Sequence, residues 1–145
     1  MFRRKVKISI EQSAKTRIHG IAEAAAPNET GGILLGWWTK NGIVVESAIE
    51  VHDPAATGTS WARHEDTAQA ALHAELGRLD HPWLGYVGDW HSHPATVGAS
   101  GVDLASLVRA SRQYKSPLAL VVHQPGGQFD VRVAKQGNVR RVELT

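Results

Sequence analysis

The sequence predicts an α/β fold in which one mixed, largely antiparallel sheet is flanked by helices. The chain has 145 residues, which suits one hydrophobic core, so we expect residues 1–145 to form a single domain. Segments with helical spacing of apolar residues alternate with short apolar runs, which is typical of α/β proteins. Turn signals such as Asn41-Gly42 join adjacent runs into hairpins, which favours antiparallel pairing.

The first half of the chain contains one predicted helix and one predicted hairpin. Residues 10–26 carry apolar side chains at helical spacing, and Pro27 ends that pattern. Residues 31–38 form an apolar run that predicts a buried strand, and residues 43–51 continue as its hairpin partner. Residues 53–62 are rich in small and turn-forming residues, which predicts a loop.

The second half alternates two helices with further strands. Residues 64–79 place alanines and leucines on one face, which predicts a second helix, and a third helix begins near Ser100. Between these helices, residues 84–90 predict a central strand that leads directly into His91. The remaining apolar segments predict three more strands, at residues 117–123, 129–134 and 139–144.

The composition excludes several classes of protein. Hydrophobic residues make up 42% of the chain and charged residues 21%, and no apolar run approaches the roughly 18 residues that cross a bilayer. The basic N-terminus lacks the apolar stretch of a secretory signal, so we expect a cytoplasmic protein with no membrane partner. The chain has no cysteine, so any metal must bind to His, Asp or Glu.

The charge pattern gives no indication of a nucleic-acid partner. The formal net charge is +2, and the basic residues gather at the chain ends without interleaved aromatic residues. This arrangement is typical of a solvated surface, so we expect no nucleic acid to bind. No motif selects an oligomeric state, and a homodimer stays open.

Two imidazoles, a hydroxyl and a carboxylate lie between residues 91 and 103. Side chains alternate along an extended segment, so His91 and His93 point to the same face and can converge on one ion. Pro94 ends the strand, which leaves the histidines at its exposed end. Asp103 returns in the first turn of the next helix and can supply a third ligand. Three protein ligands leave one position for water, as in catalytic zinc sites.

Each of these features has an alternative explanation. A bare His-x-His pair is a weak signal. The Ser100-x-x-Asp103 spacing also matches a helix capping box, and a capping carboxylate can still bind metal through an oxygen. Asp89 is the nearest alternative carboxylate. The other histidines are expected to lie on the surface or to have ordinary partners: His19, His52, His64, His73, His81 and His123.

A hydrolytic metal site needs a proton acceptor, and Glu is the usual choice beside zinc. Most glutamates of this chain have the sequence context of solvated helix or strand-edge residues. Glu29 differs because it precedes a buried strand and is followed by Gly31 and Gly32, which let the backbone approach closely. Glu29 is therefore the leading candidate base, and the sequence context alone leaves the other glutamates open: Glu23, Glu46, Glu50, Glu65 and Glu75.

These residues resemble the JAMM (MPN+) metallopeptidase domain of the prokaryotic JAB type. That family's pattern is an upstream Glu, then His-(Ser/Thr)-His-Pro, a short gap, and Ser-x-x-Asp. The matching segments here are Glu29 with the following Thr30–Gly36, His91-Ser92-His93-Pro94, and Ser100-Gly101-Val102-Asp103. The resemblance extends from about residue 8 to residue 125. The loop of residues 94–99 is one residue shorter than is usual in the family.

The resemblance implies a fold, a cofactor and a role for each residue. It implies the cytidine-deaminase-like JAMM/MPN fold and one catalytic Zn2+ ion, held by His91, His93 and Asp103. Glu29 would carry the proton from the attacking water to the leaving amine. Ser100 would donate a hydrogen bond to the developing oxyanion. The implied reaction is amide hydrolysis without a covalent intermediate.

The resemblance also implies a class of substrate. Related enzymes hydrolyse peptide or isopeptide bonds after the C-terminal Gly-Gly of ubiquitin-like proteins. A groove that binds such a tail by strand addition would have residues 43–51 and 53–62 at its edge. Trp61 either covers the tail or anchors its loop. The other tryptophans are expected in the core or on a sheet face: Trp37, Trp38, Trp83 and Trp90.

Two alternative functions stay open. One is a hydrolase that trims the C-terminus of a sulfur-carrier protein, for example by removing a cysteine after Gly-Gly. The other is a non-catalytic MPN-type scaffold or DNA-associated JAB-like module. Such scaffolds usually lose metal ligands, whereas this chain keeps every residue type of the motif.

Overall fold

The computed structural model describes residues 6–95 and 97–144. Along the chain, the helices and strands are β1 (Lys7–Ile10), α1 (Gln12–Ala25), β2 (Gly31–Trp38), β3 (Gly42–Glu50), α2 (Glu65–Leu79), β4 (Gly85–Ser92), α3 (Gly101–Ser111), β5 (Leu118–Gln124), β6 (Gln128–Lys135) and β7 (Asn138–Arg141).

The seven strands form one sheet in the order β1-β3-β2-β4-β5-β6-β7. Four neighbouring pairs are antiparallel and two, β1 with β3 and β4 with β5, are parallel. The predicted α/β class with a mixed, largely antiparallel sheet is confirmed. The sheet's central strand, β4, contains the candidate metal ligand His91 and leads directly into His93.

Helices cover both faces of the sheet because its buried side chains alternate. Leu34, Trp90 and Val121 pack with Ile18 of α1 on one face. Residues next to them along β2 and β5, such as Leu35 and Leu120, point to the other face. Two separate apolar clusters there pack against α2 and α3. Burying a side chain such as Ile18 contributes about 2 kcal/mol. None of the helices within the described residues combines the length and apolar character needed to cross a bilayer.

The N-terminal strand corrects the sequence prediction. Residue 10 was expected to open the first helix, but Ile10 is the last residue of β1 and pairs with Val45. Helix α1 begins at Gln12 after Glu11, whose backbone is extended (φ −59°, ψ 143°). The Lys-Ile-Ser-Ile alternation of β1 is only 4 residues long, and the helical spacing that follows it obscured the strand signal.

Two further expectations change in detail. The last strand was predicted to reach residue 144, but β7 ends at Arg141 and Leu144 forms an isolated parallel bridge with Ile8. Trp83 was expected in the core or on a sheet face, and it is instead 76% exposed, in the turn before β4. Trp90 is fully buried as expected, and its indole Nε1 donates to the Ile49 carbonyl at 3.0 Å.

Candidate metal centre

Strand β4 places His91 and His93 side by side on one face. His91 pairs with Val122 of β5. One residue past the end of β4, the His93 backbone N–H still donates to the His123 carbonyl of β5, at 2.8 Å. Both histidines are buried, at 7% and 8% exposure. Their ring centroids are 5.0 Å apart, so the two imidazoles can reach one ion.

Helix α3 brings Asp103 to the same point. The predicted capping box is present: Ser100 Oγ accepts from the Asp103 backbone N–H at 3.1 Å, and Asp103 Oδ2 accepts from the Ser100 N–H at 2.7 Å. The same Oδ2 lies 3.1 Å from His91 Nε2 and 3.4 Å from His93 Nε2. The cap therefore orients the carboxylate toward the histidines, and the two readings of this motif are compatible.

The atoms of this cluster fit a divalent metal ion. His91 Nε2 is buried, and among the described residues it has no partner with hydrogen-bond geometry, despite its short distance to Asp103. A buried nitrogen without a partner costs free energy, and a metal ion would satisfy it. One ligand atom from each of His91, His93 and Asp103 lies within 4.8 Å of the others. Two imidazoles and one carboxylate are a typical three-ligand set for catalytic zinc.

The loop after β4 fixes the tautomer of His93. His93 Nδ1 lies 3.2 Å from the Val97 carbonyl oxygen. A carbonyl can only accept, so Nδ1 carries the hydrogen and donates it. The Nε2 lone pair is then free to bind metal, which is the usual arrangement for a ligating histidine.

Electrostatics keep Asp103 ionised. Burial alone would raise its pKa, but contacts with His91 and His93 and the Ser100 N–H hold the pKa of this carboxyl well below its usual range. The carboxylate is therefore available as a ligand rather than as a proton donor.

Glu29 lies between α1 and β2 and is coupled to the same cluster. Its backbone N–H donates to the Thr57 carbonyl at 2.7 Å, which ties it to the loop after β3. Burial raises the pKa of the Glu29 carboxyl, while the charges of His93 and His91 partly counter that increase. A carboxyl with a raised pKa can both accept and return a proton closer to neutral pH.

Gly31 lets β2 approach the candidate metal ligand His91. A Cβ at this position would lie 2.7 Å from the Trp90 carbonyl oxygen, 2.9 Å from His91 Cβ and 3.0 Å from Trp61 Cε2. All three neighbours are themselves packed, so none can move away freely.

We expect Gly31→Ala to displace His91 and to lower the free energy of unfolding by about 1–3 kcal/mol, as overpacking does. Chemical denaturation and zinc titration measure the two effects. Gly77→Ala is the matched control, because a Cβ at Gly77 has nothing within 4 Å. Equal stability and zinc affinity in Gly31→Ala and wild-type protein would show that the contact is not restrictive.

Asp130 supports the loop between the ligands, and sequence reasoning missed it. It is 4% exposed on β6, and its Oδ2 accepts from the Ala99 N–H at 2.8 Å. Arg132 donates to both carboxylate oxygens, at 3.0 and 3.1 Å. A Cβ at Gly98 would lie 2.3 Å from Asp130 Oδ2, so the short loop packs directly on this carboxylate. Only the tertiary fold brings these residues together.

We expect Asp130→Ala to cost about 2 kcal/mol of stability, because it leaves the Ala99 N–H and Arg132 without their acceptor. It should also weaken zinc binding roughly tenfold, because the loop carries Val97 and leads to Asp103. Thermal unfolding and equilibrium dialysis measure these losses, with the exposed Asp66→Ala as control. A stability loss without any change in zinc affinity would contradict the positioning role.

Asp89, the alternative ligand, is engaged elsewhere. Its Oδ1 accepts from Arg63 at 2.6 Å and its Oδ2 from the Tyr86 hydroxyl at 3.1 Å. The structure therefore places Asp103, not Asp89, with the histidines.

Trp61 is anchored in its loop, because its indole Nε1 donates to the Val51 carbonyl at 3.1 Å. The centroid of its ring lies 6.2 Å from that of the His91 ring.

The fold and this cluster define a class: an α/β domain with a His-x-His and Asp cluster that could hold a metal ion at the end of its central strand. Residues 11–133 match the family model for prokaryotic homologs of the JAB domain. The chain belongs to this family, and the resemblance seen in the sequence is confirmed.

Individual relatives extend the comparison. The chain is 30% identical over 119 residues to the CD-NTase/cGAS isopeptidase of Enterobacter hormaechei subsp. hoffmannii; the match covers 74% of this chain and 62% of that protein's length. It is 34% identical over 91 residues to the carbamoyl phosphate synthase small chain of Caulobacter vibrioides, covering 63% of this chain but only 21% of that protein.

A solved structure has the same fold. The solution structure of protein DSY2949 from Desulfitobacterium hafniense superposes with a TM-score of 0.71 at 17% sequence identity. The match covers 95% of this chain and 91% of that protein. At this identity the likeness concerns the fold alone.

Proposed function

We propose that this chain is a zinc-dependent peptidase or isopeptidase that hydrolyses the bond after the C-terminal Gly-Gly of a ubiquitin-like protein. The observation that carries this proposal is the buried His91 Nε2, which has no partner with hydrogen-bond geometry among the described residues and lies with His93 Nε2 beside the ionised Asp103. Membership of the JAB family and the likeness to an isopeptidase support it. We also propose that residues 1–145 act as one catalytic domain.

His91, His93 and Asp103 would hold the ion. Zinc, when bound by three protein ligands, lowers the pKa of a coordinated water to about 7 and polarises the scissile carbonyl. The hydrogen bond from His93 Nδ1 to the Val97 carbonyl and the capping box on Asp103 keep two of the three ligands oriented without the ion.

Glu29 is the proposed proton carrier. Its carboxylate accepts a proton from the attacking water and returns it to the amine that leaves. The raised pKa of Glu29 supports both steps, because the proton is held more tightly than by an exposed glutamate and is still transferable.

Ser100 is the proposed oxyanion donor. Its Oγ accepts from the Asp103 backbone N–H, and a hydroxyl that accepts one hydrogen bond still has its own hydrogen to donate. That hydrogen is available to the carbonyl oxygen of the substrate as negative charge develops there. A donor of this kind contributes roughly 3 kcal/mol to lowering the barrier in comparable hydrolases.

A groove beside Glu29 is the proposed binding site for the tail. It has a volume of about 510 Å³ and is lined by α1, Glu29 and the end of β3. Strand β1 pairs only with Gly42–Val45 of β3, so within the described chain no strand covers that side of Glu46–Glu50. An extended tail could add to this edge by backbone hydrogen bonds, and a Gly-Gly end has no side chains to keep the tail from the edge.

The proposal is tested with two probes that share a Gly-Gly end. One is a fluorogenic Gly-Gly peptide amide, and the other is a ubiquitin-like protein joined through Gly-Gly to a lysine ε-amine. We expect zinc-loaded protein to release the amine after the second glycine, a chelator to abolish release and added zinc to restore it. A probe ending in Val-Val is the control, and we expect it to be cleaved more slowly because its side chains hinder strand addition.

The same assay separates the alternative functions. Selective removal of cysteine from a carrier that ends in Gly-Gly-Cys, with no action on the lysine conjugate, would replace the isopeptidase by a sulfur-carrier hydrolase. No cleavage of any probe by zinc-loaded protein would favour the non-catalytic scaffold.

A further inference from the structure

A second cluster of metal-binding side chains lies on the opposite face of the sheet. His19 and Glu23 are one turn apart on α1, and His123 lies on β5, which packs against that helix. His19 Nδ1 is 2.8 Å from His123 Nε2, and His19 Nε2 is 4.0 Å from a Glu23 carboxylate oxygen. One ligand atom from each residue lies within 4.8 Å of the others.

The cluster combines a buried ligand with two accessible ones. His123 is 3% exposed and its ring meets the edge of Phe129. The side chains of His19 and Glu23 are 45% and 58% exposed, so an ion can enter from solvent. A small cavity of about 120 Å³ adjoins His123 and Glu23.

The donor set of this cluster matches a divalent transition metal. Two imidazoles and a carboxylate suit zinc and neighbouring divalent transition metals. One donor atom from each of the three residues lies close enough to the others to reach a single ion.

We propose that His19, Glu23 and His123 bind a second divalent transition-metal ion, zinc in the first instance, which fastens α1 to β5. Binding replaces the hydrogen bond between the two imidazoles with two nitrogen–metal bonds. The hydrogen that one ring held between them moves through solvent to that ring's other nitrogen, so each ring binds the ion through a lone pair. The ring nitrogens then move apart by about 0.5 Å, which the exposed His19 side chain can accommodate. This site shares no residue with the proposed catalytic centre.

The test counts zinc in variants that keep one site at a time. Equilibrium dialysis with elemental analysis should find two zinc ions per wild-type chain, one in His93→Gln and one in His19→Gln. The double variant His93→Gln/His19→Gln should hold none. His93→Gln/His73→Gln is the matched control, because His73 is an exposed histidine outside both clusters, and it should keep one.

A second experiment measures whether zinc bound between α1 and β5 stabilises the fold. In the His93→Gln background, zinc should raise the unfolding temperature, because an ion that binds only the folded state stabilises it. The added His19→Gln change should abolish that rise. Equal zinc content and equal shifts with and without His19 would overturn the proposal and leave a hydrogen-bonded histidine pair. Failure of the proposed catalytic function is distinct, since it would show as absent cleavage whatever the zinc count.

Discussion

Glu29→Gln should lower kcat for the Gly-Gly isopeptide probe by about 10³-fold while the fold and the bound zinc remain. The amide is close in size to the carboxylate but cannot accept the proton, and general base catalysis contributes 10²–10⁴-fold in comparable enzymes. In the wild-type enzyme, kcat/KM should rise with pH as Glu29 loses its proton. Because burial raises this pKa, the rise should be centred above 4.5.

Glu143→Gln is the matched control, since Glu143 is exposed after β7 and lies outside both the groove next to Glu29 and the β3 edge proposed for the tail. It should retain wild-type rates. Single-turnover cleavage and zinc content measured on both variants separate a lost base from a lost metal. Cleavage by Glu29→Gln at the wild-type rate would remove Glu29 from the mechanism.

His93→Gln should weaken zinc binding at the catalytic centre more than about 100-fold, beyond the loss expected when a hydrogen-bond partner of a ligand is removed. Glutamine keeps much of the side-chain volume but lacks the imidazole nitrogen, so His91 and Asp103 remain as an incomplete set. Cleavage should fall to the level of chelator-treated wild-type protein. Competition with a zinc-sensitive dye measures the affinity.

The exposed His73→Gln variant should bind zinc and cleave as wild type does. Because His93 is buried, circular dichroism and thermal unfolding must show that His93→Gln is folded before its zinc affinity is interpreted. A folded His93→Gln that keeps full zinc affinity at the catalytic centre would contradict the assigned ligand set.

Most of the helices and strands could be predicted from local patterns in the sequence. Short apolar runs and helical spacing depend on near neighbours in the chain, and β2, β4 and α2 followed them to within a few residues. The strand β1 did not, because its 4 residues are stabilised by parallel pairing with β3, whose partner residues lie more than thirty positions away. A short strand of this kind has no local signal that outweighs a helix beginning immediately after it.

The candidate site was likewise predictable only in part. The spacing of His91, His93, Ser100 and Asp103 predicted a cluster, and the structure brings these residues together through one strand and one capping box. The support from Asp130 and the pairing of His19 with His123 could not be predicted, because both join strands or helices that are distant in sequence. No pattern of neighbouring residues encodes such contacts.

We propose above that His91, His93 and Asp103 hold one zinc ion beside Glu29. The most direct measurement is a crystal structure of zinc-loaded protein with anomalous data collected at the zinc edge. We predict a peak about 2.0–2.2 Å from His91 Nε2, His93 Nε2 and one carboxylate oxygen of Asp103. Zinc-replete crystals without a peak there, or with these two rings turned away from each other, would contradict the account.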